Sequence, residues 1–113
     1  MTNTTEQRRE EFSRKMVDIL NHGALNLAMA IGYRTGLFDV MDEFDRPSSI
    51  DDIAERSDLH PRYITEWLGI MATGGIVELS KSVAAEDLYL LPKAHGDLLC
   101  RRQPVRIAEY GPR

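Results

Sequence analysis

One stretch constrains the fold more than any other: SSIDDIAERSDLHPRYITEWLGIMATGGIVEL, from Ser48 to Leu79. Ser48 or Ser49 can cap a first helix over Ile50–Arg56. Asp51 and Asp52 then fall in the first turn, where the helix dipole favours acids. Ser57-Asp58 reads as a turn. His60-Pro61 opens a second helix, with proline at the first helical position, where a missing N–H costs nothing. Ile64, Trp67, Leu68, Met71 and Ala72 follow at spacings i, i+3, i+4, i+7 and i+8, a single apolar stripe. Gly74-Gly75 ends that helix, one of the pair being free to take the left-handed conformation. Ile76–Leu79 is strand-like, Ser80–Glu86 is a polar tip, and Asp87–Leu91 is a returning strand closed by Pro92. Short helix, turn, longer helix and hairpin make a winged helix-turn-helix.

The sequence before this stretch is helical and of two characters. Thr4 or Thr5 can cap a first segment, with residues 1–5 frayed. Phe12, Met16, Ile19 and Leu20 give that segment a narrow apolar stripe opposite Arg8, Arg9, Glu10, Arg14 and Lys15. Asn21-His22-Gly23 predicts a kink or break, because Asn and Gly are poor helix formers. The next segment, GALNLAMAIGYRTGLF, is apolar on nearly every side and must be buried on several faces. A 113-residue chain has little interior for that. A covering partner is therefore expected, either a second copy or another domain, with Leu25, Leu27, Met29, Ile31 and Phe38 at the interface. Gly36 breaks this helix. Val40, Met41 and Phe44 continue a short helical turn, and residues 45–47 form a loop.

After the hairpin, residues 92–100 read as a short helix with Leu98 and Leu99 on its apolar side. The tail from Arg101 is basic, with Arg101, Arg102, Arg106 and Arg113 against Glu109 alone. The predicted class is mainly α with a small β-hairpin. The organisation is residues 1–47 as packing and dimerisation helices, 48–100 as the winged helix, and 101–113 as the start of a linker or further helix.

Composition narrows the function classes. The net charge is −4, which disfavours attraction to a phosphate backbone. A helix-turn-helix that reads DNA needs base-contacting side chains flanked by cations. The exposed face of the second helix offers Arg62, Tyr63, Thr65, Glu66 and Gly69. Arg56 and Arg62 are opposed there by Asp51, Asp52, Glu55, Asp58 and Glu66. In the wing, Lys81 meets Glu86 and Asp87. A DNA-binding transcription regulator is thus the alternative, not the favoured reading. His22, His60, His95 and Cys100 lack the paired spacing of a metal site. The one cysteine rules out an internal disulfide and reads as a reduced intracellular thiol. No apolar run approaches the ~18 residues of a membrane span. The polar, acid-containing N-terminus is unlike a secretory signal, so a cytoplasmic location is expected.

MVDILNHGALNLAMAIGYRTGLFDVMDE, DIAERSDLHPRYITEWLGIMATGGIVEL and LYLLPKAHGDLL resemble one family closely enough to name it. They are similar to the N-terminal winged-helix domain of class I S-adenosylmethionine-dependent methyltransferases acting on small molecules. The likeness covers roughly residues 12–100 and is most specific at Gly32–Asp39 and Arg62–Glu78. It implies a domain that dimerises and covers the substrate of a Rossmann-like catalytic domain. The N-terminal helices of such proteins wall the substrate pocket, which implies a lining role for Asn21, His22 and Leu25. Tyr33 and Arg34, at the end of the apolar helix, are candidates for substrate or domain contact. The cofactor site of that family carries an acidic-Gly-x-Gly-x-Gly loop after a strand. This sequence has none, so no catalytic or cofactor-binding residue is expected here, and S-adenosylmethionine is expected only for the longer relative. A free-standing module that binds another chain's catalytic domain remains a third reading.

Overall fold

The computed structural model describes residues 4–101. Within them the chain forms α1 (Thr4–Thr35), α2 (Leu37–Phe44), α3 (Ile50–Ser57), α4 (Pro61–Thr73), β1 (Glu78–Lys81), β2 (Asp87–Leu90) and α5 (Lys93–Leu99). The mainly helical class with a single hairpin is thus observed. The tail beyond Arg101 lies outside the described residues.

The first helix departs from expectation. No break occurs at Asn21-His22-Gly23; α1 runs unbroken for 32 residues, about 48 Å at 1.5 Å per residue. A mid-helix glycine costs only about 1 kcal/mol relative to alanine. Nothing at Gly23 competes with the helix, since a Cβ there would meet no atom within 4 Å. Nor is the Gly23–Thr35 part buried all round. Only Ala28 and Gly32 are buried, whereas Leu25, Met29 and Ile31 are partly covered.

Gly36 ends α1 in the left-handed region, at φ 77°. That turn drops Leu37, Phe38 and Met41 into the core. Phe38 was expected at a dimer interface; at 1% exposure it belongs to the chain's own interior. α3 begins at Ser49, whose hydroxyl accepts from the Asp52 amide at 3.1 Å. Its neighbour Ser48 has a different task, exchanging both backbone hydrogen bonds with Tyr89 at 2.9 and 2.8 Å. Asp58 closes α3 in the left-handed conformation, at φ 58°, which Asp tolerates better than most residues. His60 caps α4, its Nδ1 accepting from the Arg62 amide at 3.1 Å. Ile64, Trp67, Leu68 and Met71 are buried along one stripe of α4.

Gly75, at φ 76°, turns the chain out of α4. The first strand begins two residues later than the sequence predicts. Val77 is instead buried in the core, with its amide bonded to the Met71 carbonyl at 3.2 Å. The antiparallel register pairs Glu78 with Leu90 and Lys81 with Asp87. Ser82 holds the tip, accepting the Ala84 and Glu86 amides at 3.2 and 3.0 Å. α5 returns to α2. A Cβ at Gly96 would come within 2.5 Å of Asp42 Oδ1, so a side chain there would push that carboxylate aside. Leu98 is exposed rather than on the covered side. Lys93 reaches Asp42 at 3.2 Å, and the bond to that carboxylate raises its ammonium pKa.

The contact between α1 and α4 fixes the first helix to the body. The Trp67 indole Nε1 donates to the Ala28 carbonyl at 2.9 Å, and its ring tilts against Phe38 at 5.3 Å between centroids. A Cβ at Gly32 would come within 2.6 Å of Trp67 and 2.7 Å of Phe38. Gly69 lies in α4 with nothing within 4 Å of its Cβ position. The same substitution should therefore have opposite signs at the two sites. Gly32→Ala should cost about 1–3 kcal/mol through overpacking, and Gly69→Ala should gain about 0.5–1 kcal/mol of helix stability. Urea unfolding followed by helical circular dichroism measures both.

Candidate functional site

Three surfaces can carry function: the outer face of α4 with the wing, a groove where α1 crosses α4, and the outward side of α1.

The first has the outline of a DNA reader but the wrong charges. Between residues 36 and 101 the chain carries thirteen carboxylates against six cations. Arg56 pairs with Glu43 at 2.9 Å, and Arg62 lies 3.7 Å from Glu66 on the next turn. Lys81 bonds Asp87 across the hairpin. The hollow between α4 and the wing is lined by Asp51, Arg62, Glu86 and Asp87 among others. A phosphate approaching this face would meet carboxylates and already paired cations. The Arg46 guanidinium lies over the Phe44 ring, 5.5 Å from its centroid.

The second surface is an open groove of about 770 Å³. Asn21, His22, Ala24 and Leu25 of α1 form one wall; Glu66, Gly69, Ile70 and Thr73 of α4, with Gly74 just beyond it, form the other. It exists because the two glycines keep the α4 wall low. At Gly74 the Leu25 side chain occupies the place of a missing Cβ, whose position lies 2.5 Å from Leu25 Cδ1. Ile70 stands 41% exposed beside it. The floor is apolar, and Asn21, His22, Glu66 and Thr73 supply polar atoms around it. Such a lining suits a mostly apolar small molecule or side chain held by a few polar contacts.

Asn21, His22 and Leu25 thus come together, and with them α4 residues that the sequence pattern assigned to other duties. Glu66 and Gly69 read as part of a DNA-facing surface. The available signal was Ile70, an apolar residue outside the buried stripe of α4. Tyr33 is separate. It lines a shallower hollow with Asn26, Met29, Ala30, Phe38, Leu98 and Leu99, and the Arg101 guanidinium lies 5.9 Å from its ring centroid. Arg34 is an exposed residue in the last turn of α1, where a cation suits the negative helix end.

The third surface is apolar. Phe12, Met16, Ile19, Leu20 and Leu27 of α1 are between 45% and 64% exposed. Of the five residues expected at an interface, Leu27 alone stands fully in the open. Leu25, Met29 and Ile31 are partly covered within the chain.

His95 Nδ1 lies 2.8 Å from the Ile76 carbonyl, a link between α5 and the start of the hairpin. Cys100 is buried, its thiol directed at the Phe38 carbonyl at 3.5 Å. Among the described residues no group of three His, Cys, Asp or Glu could hold a metal ion, and no helix is long and apolar enough to cross a membrane.

Comparison with known proteins adds the family. The protein-family model for the Rv2258c-like winged HTH domain matches residues 23–101. Human N-acetylserotonin methyltransferase in complex with SAM superposes at a TM-score of 0.71 with 16% identity, over 81% of this chain and 26% of that one. PigF with SAH superposes at 0.58 with 25% identity, over 89% of this chain and 30% of that one. The chain therefore spans less than a third of the length of either structure. At 16% identity the likeness is one of fold. No curated protein matches the chain in sequence.

A gel-shift titration with duplex DNA in low salt tests the reading of the α4 and wing face. No complex is expected at micromolar protein, where basic DNA-binding domains already show non-specific binding at Kd of roughly 10⁻⁴–10⁻⁶ M even at physiological salt. A tighter complex with a steep salt dependence would overturn it.

Proposed function

The chain belongs to the Rv2258c-like winged HTH domain family, and from that premise we propose that it is the non-catalytic N-terminal domain of an S-adenosylmethionine-dependent small-molecule methyltransferase. In this reading residues 1–47 pack and dimerise, residues 48–100 form the winged-helix scaffold, and the following residues lead towards a Rossmann-like catalytic domain. The chain acts as a homodimer and as a cover over the substrate of that domain, in the cytoplasm. S-adenosylmethionine belongs to the catalytic domain, since residues 1–113 contain no glycine-rich nucleotide loop.

The observation that carries this reading is the groove between α1 and α4. A helix-turn-helix used on DNA would put its second helix into the major groove. Here one side of that helix forms an apolar trough instead, and the acidic surroundings oppose nucleic acid. Asn21, His22 and Leu25 would contact the methyl acceptor from one wall, with Ile70 and Gly69 opposite. Tyr33 and Arg34, further along α1, would contact the substrate or the neighbouring domain.

Two measurements test the proposal. Calorimetric titration of the chain with S-adenosylmethionine should give no binding heat; a stoichiometric site would contradict the division of labour. Sedimentation velocity at high micromolar concentration should give a dimer. Leu27→Asp should convert it to monomer while leaving helical content intact, because an unpaired charge inside an apolar interface costs about 3–5 kcal/mol.

A further inference from the structure

The outward side of α1 is self-complementary. The helix packs on the rest of the chain through Leu25, Ala28, Met29 and Gly32. At 100° per residue, Phe12, Met16, Ile19, Leu20, Gly23 and Leu27 fall within an arc of about 100° on the opposite side. Their five large side chains are 45–64% exposed, on a helix whose residues 4–24 are exposed throughout. A continuous apolar stripe of that kind marks an interaction surface.

We infer that this stripe is the seam of an antiparallel pair with α1 of a second copy, the twofold axis passing between Ile19 and Leu20. The inference rests on the dimer of the preceding section and assigns its face and register. In that register Phe12 faces Leu27 of the second copy, Met16 faces Gly23, and Ile19 faces Leu20. The large Met16 side chain lies over the space that Gly23 leaves, where one copy alone provides no atom within 4 Å of a Cβ. Antiparallel order also brings Glu6, in the first turn of one helix, beside Arg34, in the last turn of the other. The helix dipoles oppose in the same arrangement.

Other arrangements fail on named residues. Parallel pairing would align the two helix dipoles and set Arg9, which falls within the same arc of α1, against its own copy. Sliding the antiparallel pair by two turns in one direction places Arg34 against Phe12; sliding it in the other leaves Leu27 facing Thr5. The near balance of five cations and four carboxylates over residues 4–35 gives α1 no preference for a strongly charged partner, whereas its own outline matches itself. The overlap from Glu6 to Arg34 is about 42 Å long.

Paired cysteines read out the register. Met16→Cys with Gly23→Cys should give an intermolecular disulfide in nearly all chains under mild oxidation. Asp18→Cys with Asn21→Cys occupies the same axial register on the wrong face and should give almost none. The native Cys100 is buried, so the unaltered chain serves as the background. Leu20→Asp, beside the axis, should raise the dimer dissociation constant at least about 100-fold, with circular dichroism confirming that α1 still folds. A dimer that cross-links only through positions 16 and 23 supports the inference. A dimer that does not, or that cross-links equally through 18 and 21, overturns the face and register and leaves the dimer itself standing. A monomer at high micromolar concentration overturns both.

Discussion

The crossing of α1 over α4 is the constraint on which the remaining structure depends. Trp67 is buried yet carries a polar N–H, and a buried donor without a partner costs about 1–3 kcal/mol. The partner is the backbone carbonyl of Ala28, which the indole reaches at 2.9 Å. It can do so because Gly32, one turn further along α1, has no side chain in the way; a Cβ there would stand 2.6 Å from the indole. Phe38 fills the remaining side. Four residues from three helices thus fix the position and angle of α1, the groove beside it and the direction in which its N-terminal half leaves the body.

That half-attached helix separates two tasks. Its inner side, from Leu25 to Gly32, is held by the winged helix. Its outer side and the trough at residues 21–25 are left open. The winged-helix body meanwhile keeps its cations in ion pairs such as Arg56–Glu43 and Lys93–Asp42. Such exposed pairs contribute little to stability. Their consequence is for recognition, because they leave the body acidic on the side where a DNA reader would be basic.

Much of the fold was legible because local chemistry agreed with it. Ser49, the His60-Pro61 pair, the stripe from Ile64 to Met71 and Gly75 each act over a few residues, and the structure uses each of them. Asn21-His22-Gly23 misled for the same reason: local propensity argued for a break that nothing else required. The start of the hairpin also shifted, since Val77 is worth more in the core than in an exposed two-stranded ribbon. Asn21, His22 and Leu25 could be picked from the sequence by resemblance. Of their companions, Ile70 left a trace as an apolar residue off the buried stripe of α4, whereas Gly74 left none, because only the crossing of the two helices brings that end of α4 against Leu25.

The sequence by itself determined the helix and turn order, the acidic balance that disfavours nucleic acid, and the excess of apolar surface on the N-terminal helices. These follow from residue type and short-range spacing. Tertiary structure decided which of those apolar residues remain available. Phe38 went inward and Leu27 stayed out, because Gly36 turned the chain between them. The groove likewise appeared where Leu25 of α1 met Gly74, at the end of α4. Burial is a property of pairs of elements, and no single segment carries it.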